Sequence, residues 1–231
     1  MHVVACPGRP FPGAPPWARR LHLTDPLVCY QGAQVRALDG AMLLDHGVGH
    51  ELAMQVVSWC LERDVHVQVY RDDRLLVQQD RAEAREYANH AGMELNVVPS
   101  LDAAMGATTP KVVVVSTKEI VEAWLLRDLR QAFAGRLFVA TSMPNYIELT
   151  SPDADKRQAL EFLCKRLGVP REATVAVGDG RNDRPLIEWA AIGVAVEGAP
   201  DEVLDAADRV IPGPGAGGIA ELVSGLLGEQ T

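Results

Sequence analysis

From Ala173 to the end of the chain, short apolar runs and helical patterns take turns without a break. "TVAV" gives way to a helix near "RPLIEWAA", then "IGVAV", "PDEVLDAA", "RVI" and "GIAELVSGLL". A helical crossover returns the chain to the same end of the sheet, so strands joined this way run parallel. A parallel sheet is covered on both faces and needs a substantial core. The 231 residues, 48% of them hydrophobic, are enough for one large domain or two modest ones. Just upstream, Asp155 opens "DKRQALEFLCKRLG", where Gln158 stands at the position that completes a capping box. Ala159, Leu160, Leu163, Cys164 and Leu167 share one helical face, and Gly168 and Pro170 end the helix.

The N-terminal piece repeats the theme, with "HVVAC" and "PLVCY" as strands and "PPWARRLHL" as a helix between them. Between about Gln34 and Glu148 the character changes. "QVRALDGAMLLDH" reads as a hairpin turning at Asp39-Gly40. "HELAMQVVSWCLERD" is a long helix, and "VHVQVY" and "RLLVQQ" are strands joined by the polar turn "RDD". A helix ("AEAREYANHA"), a strand ("KVVVVS"), a helix ("EIVEAWLLRDLRQAFAG") and a strand pair ("RLFVATS", "YIELTS") follow. Hairpins mixed with helices predict an antiparallel sheet with helices on one face. The organisation expected is an α/β, Rossmann-like parallel core of residues 1–33 and 150–231, interrupted by an inserted α+β domain of residues 34–149.

A net charge of -9 argues against nucleic-acid and anionic-membrane partners, which require basic surfaces. No apolar run reaches membrane-spanning length, and "MHVVACPGRPFPG" lacks the pattern of a signal peptide. Cys6, Cys29, Cys60 and Cys164 are scattered with no paired metal spacing, as expected of reduced thiols in a cytoplasmic protein. The oligomeric state is not legible.

Chemistry concentrates in "GDGRND". Asp179 falls where a strand ends and Asp183 where the next helix begins, which puts two hard oxygen donors suited to Mg²⁺ beside the mouth of a parallel sheet. Gly178 and Gly180 permit a sharp turn and close approach of a ligand, and Asn182 can donate to an anionic oxygen. The same residue types also make an ordinary turn. Lys156, at a helix start, supplies a point charge suited to phosphate, although a single lysine is more commonly a solvated one.

Together, the Lys156 helix and the "GDGRND" loop resemble the C-terminal half of haloacid dehalogenase-type phosphatases, in particular the Cof-type subgroup with a large α/β cap. "VVACPGRPFPGA" is similar to that family's second motif, "PLVCYQGAQV" to its entry into the cap and "YIELTSPDADK" to its exit. The resemblance implies Mg²⁺-dependent hydrolysis of small phosphate monoesters, such as sugar phosphates, through an aspartyl-phosphate. It also implies a role for each matching residue. Lys156 would balance the charge of nucleophile and phosphate, Asp179 would ligate Mg²⁺, and Asp183 would stand in or behind the ligand shell. Asn182 and the Gly8 backbone, with Arg9 beside it, would hold the phosphoryl group.

The sequence departs from the family at several points. No Asp-x-Asp-Gly-Thr is present, so the strand expected to bear the nucleophile and acid/base is missing from the 231 residues. Pro7 stands where the family has Ser or Thr, Gln31 replaces the Asn of Asn-Gly-Ala, and Glu197-Gly198-Ala199 replaces Gly-Asn-Ala. Two accounts fit: a true start one βα unit upstream, on the order of 30–40 residues, or a catalytically inactive protein that binds a phospho-ligand or Mg²⁺ on the same fold.

Overall fold

In a computed structural model, which describes residues 1–228, the chain forms two compact units, Met1–Ala154 and Asp155 onward. No described helix is long and apolar enough to cross a membrane.

The first unit opens with a 3-10 turn, Phe11–Gly13, and helix α1, Pro15–Arg20. Strand β1, Leu27–Cys29, pairs antiparallel with β2, Gln34–Arg36, which pairs with β3, Met42–Asp45. The β2–β3 turn places Gly40 at φ +95, the left-handed conformation such a turn demands. The strand expected over "HVVAC" is absent. Val28 N–H does donate to Ala5 O, but His2 and the Val3 amide are held by the Asp25 carboxylate instead of by a neighbouring backbone.

Next come the two-residue strand β4 (Val48–Gly49), helix α2 (His50–Leu61) and the hairpin β5 (His66–Arg71)–β6 (Arg74–Val77). Helix α3 (Ala82–Ala91), strand β7 (Leu95–Val97), helix α4 (Leu101–Ala104), the short strand β8 (Thr108–Thr109) and strand β9 (Val112–Val115) follow. Helix α5 (Lys118–Ile120) runs through a π turn (Val121–Leu125) into α6 (Leu126–Ala132), and β10 (Phe138–Met143) and β11 (Tyr146–Thr150) close the unit. The main sheet has the order β10-β11-β9-β5-β6-β7, antiparallel throughout except where β7 joins β6 in parallel.

Helices cover both faces of this sheet, not one. Val112 and Val114 pack with Val56 and Cys60 of α2 and Leu129 of α6, while Val113 and Val115 pack with Tyr87 and Ala88 of α3 and with Phe11, Leu27 and Tyr30. All four valines of β9 are buried, and with a side-chain period of two that requires cover on each side. The same contacts place residues 1–33 in this unit.

The second unit begins with α7, Lys156–Leu167. Asp155 caps it by accepting from Gln158 N–H at 3.0 Å, and Gly168 ends it at φ 68. Strand β12 (Val175–Gly178) leads through a 3-10 turn (Arg181–Asp183) into α8 (Arg184–Trp189). Then follow β13 (Ile192–Val196), α9 (Asp201–Leu204), β14 (Arg209–Ile211) and α10 (Gly218–Gly228). The three strands run parallel in the order β12-β13-β14, as the alternation demanded. Ala176, Leu186 and Ala190 close on Leu160 of α7, while Ile187, Ala195 and Val203 pack between α8, β13 and α9.

Candidate active site

Strand β12 delivers Asp179 just past its last residue, and the 3-10 turn brings Asp183 back beneath it. Asp183 is 7% exposed and saturated with donors. Its Oδ2 accepts from the backbone N–H of Asp179 at 3.2 Å and of Gly180 at 3.0 Å, and its Oδ1 accepts from Lys156 Nζ at 2.6 Å. Lys156, itself 6% exposed, reaches this carboxylate from the first turn of α7. Helix start, strand end and helix start are thereby fastened at one carboxyl group.

Gly178 makes the arrangement possible. A Cβ there would lie 2.2 Å from the Cβ of Asp183, a distance no side chain tolerates. The sequence reading gave this glycine to the turn and to a close-approaching ligand; the structure gives its space to Asp183.

Asp179 and Asn182 are exposed. The three charged groups here, Asp179, Asp183 and Lys156, sum to one negative charge, which favours a cation first and an anion after it. Among the described residues no three His, Cys, Asp or Glu side chains are grouped to hold a metal ion by themselves.

Of the residues singled out in the sequence, the structure brings Lys156, Asp179, Asn182 and Asp183 together. Gly8 and Arg9 belong to the first unit. There the loop is pinned by Tyr30 N–H donating to Arg9 O at 3.1 Å, and the Gln31 side chain lies over Gly8, 2.5 Å from where a Cβ would be. The burial of Asp183 and its service to the backbone were not legible. The signal was the spacing of Gly178 and Asp183 across a turn too short to leave both exposed.

Known proteins resemble this chain over most of its length. A Streptococcus pyogenes serotype M6 protein named as a phosphatase is 22% identical over 233 residues, covering 96% of this chain and 84% of its own length. A solved structure from Thermotoga maritima superposes with a TM-score of 0.88 at 28% identity, over 97% of this chain and 84% of that one. A second solved structure, described as a sugar phosphatase of subclass IIB of the superfamily, gives a TM-score of 0.78 at 17% identity, over 98% of this chain and 85% of its own. The sequence model of the haloacid dehalogenase-like hydrolases matches residues 1–223. With its Lys156–Asp183 pair and "GDGRND" turn in place, the chain belongs to the haloacid dehalogenase-like hydrolase family.

Proposed function

We propose that the protein hydrolyses small phosphate monoesters with Mg²⁺, and that the Lys156–Asp183–Asp179 cluster is the charge-handling part of its site. The observation that carries this reading is the saturated Asp183 carboxylate, which fixes Lys156 and the Asp179 loop in one geometry. Phosphoryl transfer asks little of the protein beyond positioning and stabilising charge on the phosphoryl oxygens.

Magnesium suits the donors available. It binds through one or two carboxylates and completes its shell with water and substrate phosphate, and Asp179 presents an exposed carboxylate just past the end of β12. When bound, the ion supplies positive charge against the phosphate oxygens. Asp183, with both oxygens engaged, holds the loop. Lys156 retains two further N–H donors for an anionic oxygen, and Asn182 offers an amide donor from the same turn. Gly8 and Arg9 serve phosphate binding in this reading, and residues 1–33 with 150–231 act as the catalytic core and 34–149 as the cap. The substrate is a small phosphorylated metabolite. Sugar phosphates are the first to test, since one structural neighbour is described as a sugar phosphatase. The scattered, unpaired spacing of the four cysteines supports a cytoplasmic site of action in this reading.

Because the 231 residues contain no Asp-x-Asp-Gly-Thr, a covalent carboxylate nucleophile has to come from a supplied segment. Strand β12 is hydrogen-bonded only to β13 among the described residues, and its other edge is where such a strand would pair. The 231-residue chain alone should show no turnover of p-nitrophenyl phosphate. Adding an Asp-x-Asp-Gly-Thr segment from a relative should produce Mg²⁺-dependent hydrolysis, depressed by Lys156→Ala and raised by Pro7→Thr. In calorimetric titration, Asp179→Ala should weaken Mg²⁺ binding more than Asp183→Ala. Turnover by the unextended chain that disappears in Asp179→Asn would overturn the assignment.

A further inference from the structure

Helix α10 starts at a buried Gly218 and packs against β14. Leu222 and Leu226, both half-buried, mark the side it turns inward. The apolar surface extends beyond that side. Ile219, Val223 and Leu227 are 47%, 36% and 50% exposed, and a spacing of four stacks them into one row along the helix. Single exposed apolar side chains are common on any protein, whereas three in line on one helix form a continuous ridge.

Two features say what the ridge is shaped to meet. Beside it runs a second row at the same spacing, Ala220 and Ser224, whose side chains are small and exposed. A ridge of large residues next to a row of small ones supplies both halves of a ridge-into-groove contact. Such i±4n ridges interdigitate at about −50°, the commonest helix-packing class. A helix that bears both halves is complementary to itself across a two-fold axis. The second feature is charge. Glu221 is the only charged residue in the α10 sequence, and at about 100° per residue it points about 160° away from Val223. A basic or acidic partner finds nothing to pair with on the ridge. A membrane surface is disfavoured too, because helices that lie on lipid carry lysines and arginines on the polar face, and α10 has neither. Two copies of a chain with a net charge of -9 repel one another over most of their surface and can approach where charge is absent.

We propose that the 231-residue chain self-associates through α10, the Ile219–Val223–Leu227 ridge of each copy packing over the Ala220–Ser224 row of the other. A helix of 11 residues is about 16 Å long. The contact is therefore at the small end of specific interfaces, and the dimer is a weak one, with a Kd on the order of 0.1 mM. The inference uses residues of the second unit alone and does not depend on the proposed phosphatase activity.

Sedimentation velocity over a concentration series that brackets this Kd tests it. The weight-average mass of the 231-residue chain should climb from monomer toward dimer. Val223→Lys places an unpaired charge in the contact and should weaken the association about tenfold or more. Glu221→Gln changes the net charge by the same amount and should leave the association unchanged, which separates the ridge from general repulsion. Ser224→Leu discriminates most. It adds apolar surface, so unspecific adhesion would tighten, whereas a filled groove should loosen the dimer severalfold. All three positions are exposed, and circular dichroism checks that each variant keeps the wild-type fold. A monomer throughout, a dimer that Val223→Lys leaves intact, one that Ser224→Leu tightens, or binding to phosphatidylcholine vesicles in place of self-association would each overturn the proposal.

Discussion

Among the described residues two lysines are buried, each bonded to one carboxylate: Lys111 to Glu148 at 2.7 Å in the first unit, and Lys156 to Asp183 at 2.6 Å in the second. Their surroundings differ. Lys111 and Glu148 sit among side chains, with Tyr87 hydrogen-bonded to the lysine and sharing a 2.5 Å contact with Tyr70. Burial opposes the Lys111 charge, yet Glu148 and Tyr87 together hold its pKa above the ordinary value. Asp183 also serves two backbone N–H groups of an exposed loop. The first pair can be exchanged for apolar groups of similar shape. The second cannot, because the backbone would lose its acceptor.

The largest effects separate the two pairs most sharply. Asp183→Ala and Glu148→Ala each strand a buried lysine and should cost about 3–5 kcal/mol in urea unfolding. Double replacements should then diverge. Lys111→Met with Glu148→Leu should restore stability to within about 1 kcal/mol of wild type. Lys156→Met with Asp183→Leu should stay destabilised by about 1–3 kcal/mol for each abandoned N–H. Equal recovery would erase the distinction.

Gly178→Ala tests the same loop from the other side. The Cβ overlap with Asp183 should cost about 1–3 kcal/mol, whereas Gly13→Ala, with nothing within 4 Å of its Cβ, should stay within about 0.5 kcal/mol.

Alkaline pH probes the first unit. Lys111 is raised, and Tyr70 is raised well above 10.0, chiefly by burial. In both cases the folded state holds its proton more tightly than the unfolded chain. Stability is therefore full below the unfolded values and falls as pH climbs past about 10 through the folded ones. Lys111→Met with Glu148→Leu should flatten the melting-temperature profile between pH 9 and 11. Burial also pushes the Cys29 and Cys60 thiols up to about 12, so both should resist labelling at pH 8 until the first unit opens.

The smallest expected effect belongs to His50. Its Nε2 meets Asp102 Oδ1 at 2.8 Å and its Nδ1 meets Gly106 O at 3.1 Å, so the doubly protonated ring donates at both ends and its pKa is raised. Its contribution is complete below about pH 6.5 and fades as pH rises through the higher folded value. The site is solvent-exposed, so His50→Gln should remove a slight acid-side gain in melting temperature and nothing more.

Local sequence carried most of the elements, because each was signalled by its own residues. The Asp39-Gly40 turn, the Asp155 cap and the Val175–Gly178 strand lie within a few residues of where they were read. "HVVAC" failed because a strand is defined by its neighbours, and an apolar run says nothing about whether a partner backbone is there. The helices on both sheet faces were foreshadowed by "KVVVVS", whose unbroken apolar run was read as a strand without asking what covered it. At the site, Lys156, Asp179, Asn182 and Asp183 were legible from residue type and position. The buried Lys111–Glu148 pair was not, since a Lys before a strand looks like a solvated residue until the tertiary contacts are known.

Strand order also sets a folding timetable. In the second unit each strand pairs with the next one along the chain, one short helix away. In the first, His66 must find Val115 across an intervening hairpin, two helices and two further strands, and β11 then has to add beside β9. Contacts that close small loops form quickly, and those that close large ones wait on chain entropy. During synthesis the slower unit emerges first, with the tyrosines that later surround Lys111 in the nascent chain before Tyr146 exists to close over them. The quicker unit arrives last and has the shorter search. Any chaperone dependence of this protein should therefore map to residues 50–150, and pulse-labelled amide exchange would find β12–β14 protected before β5 and β9.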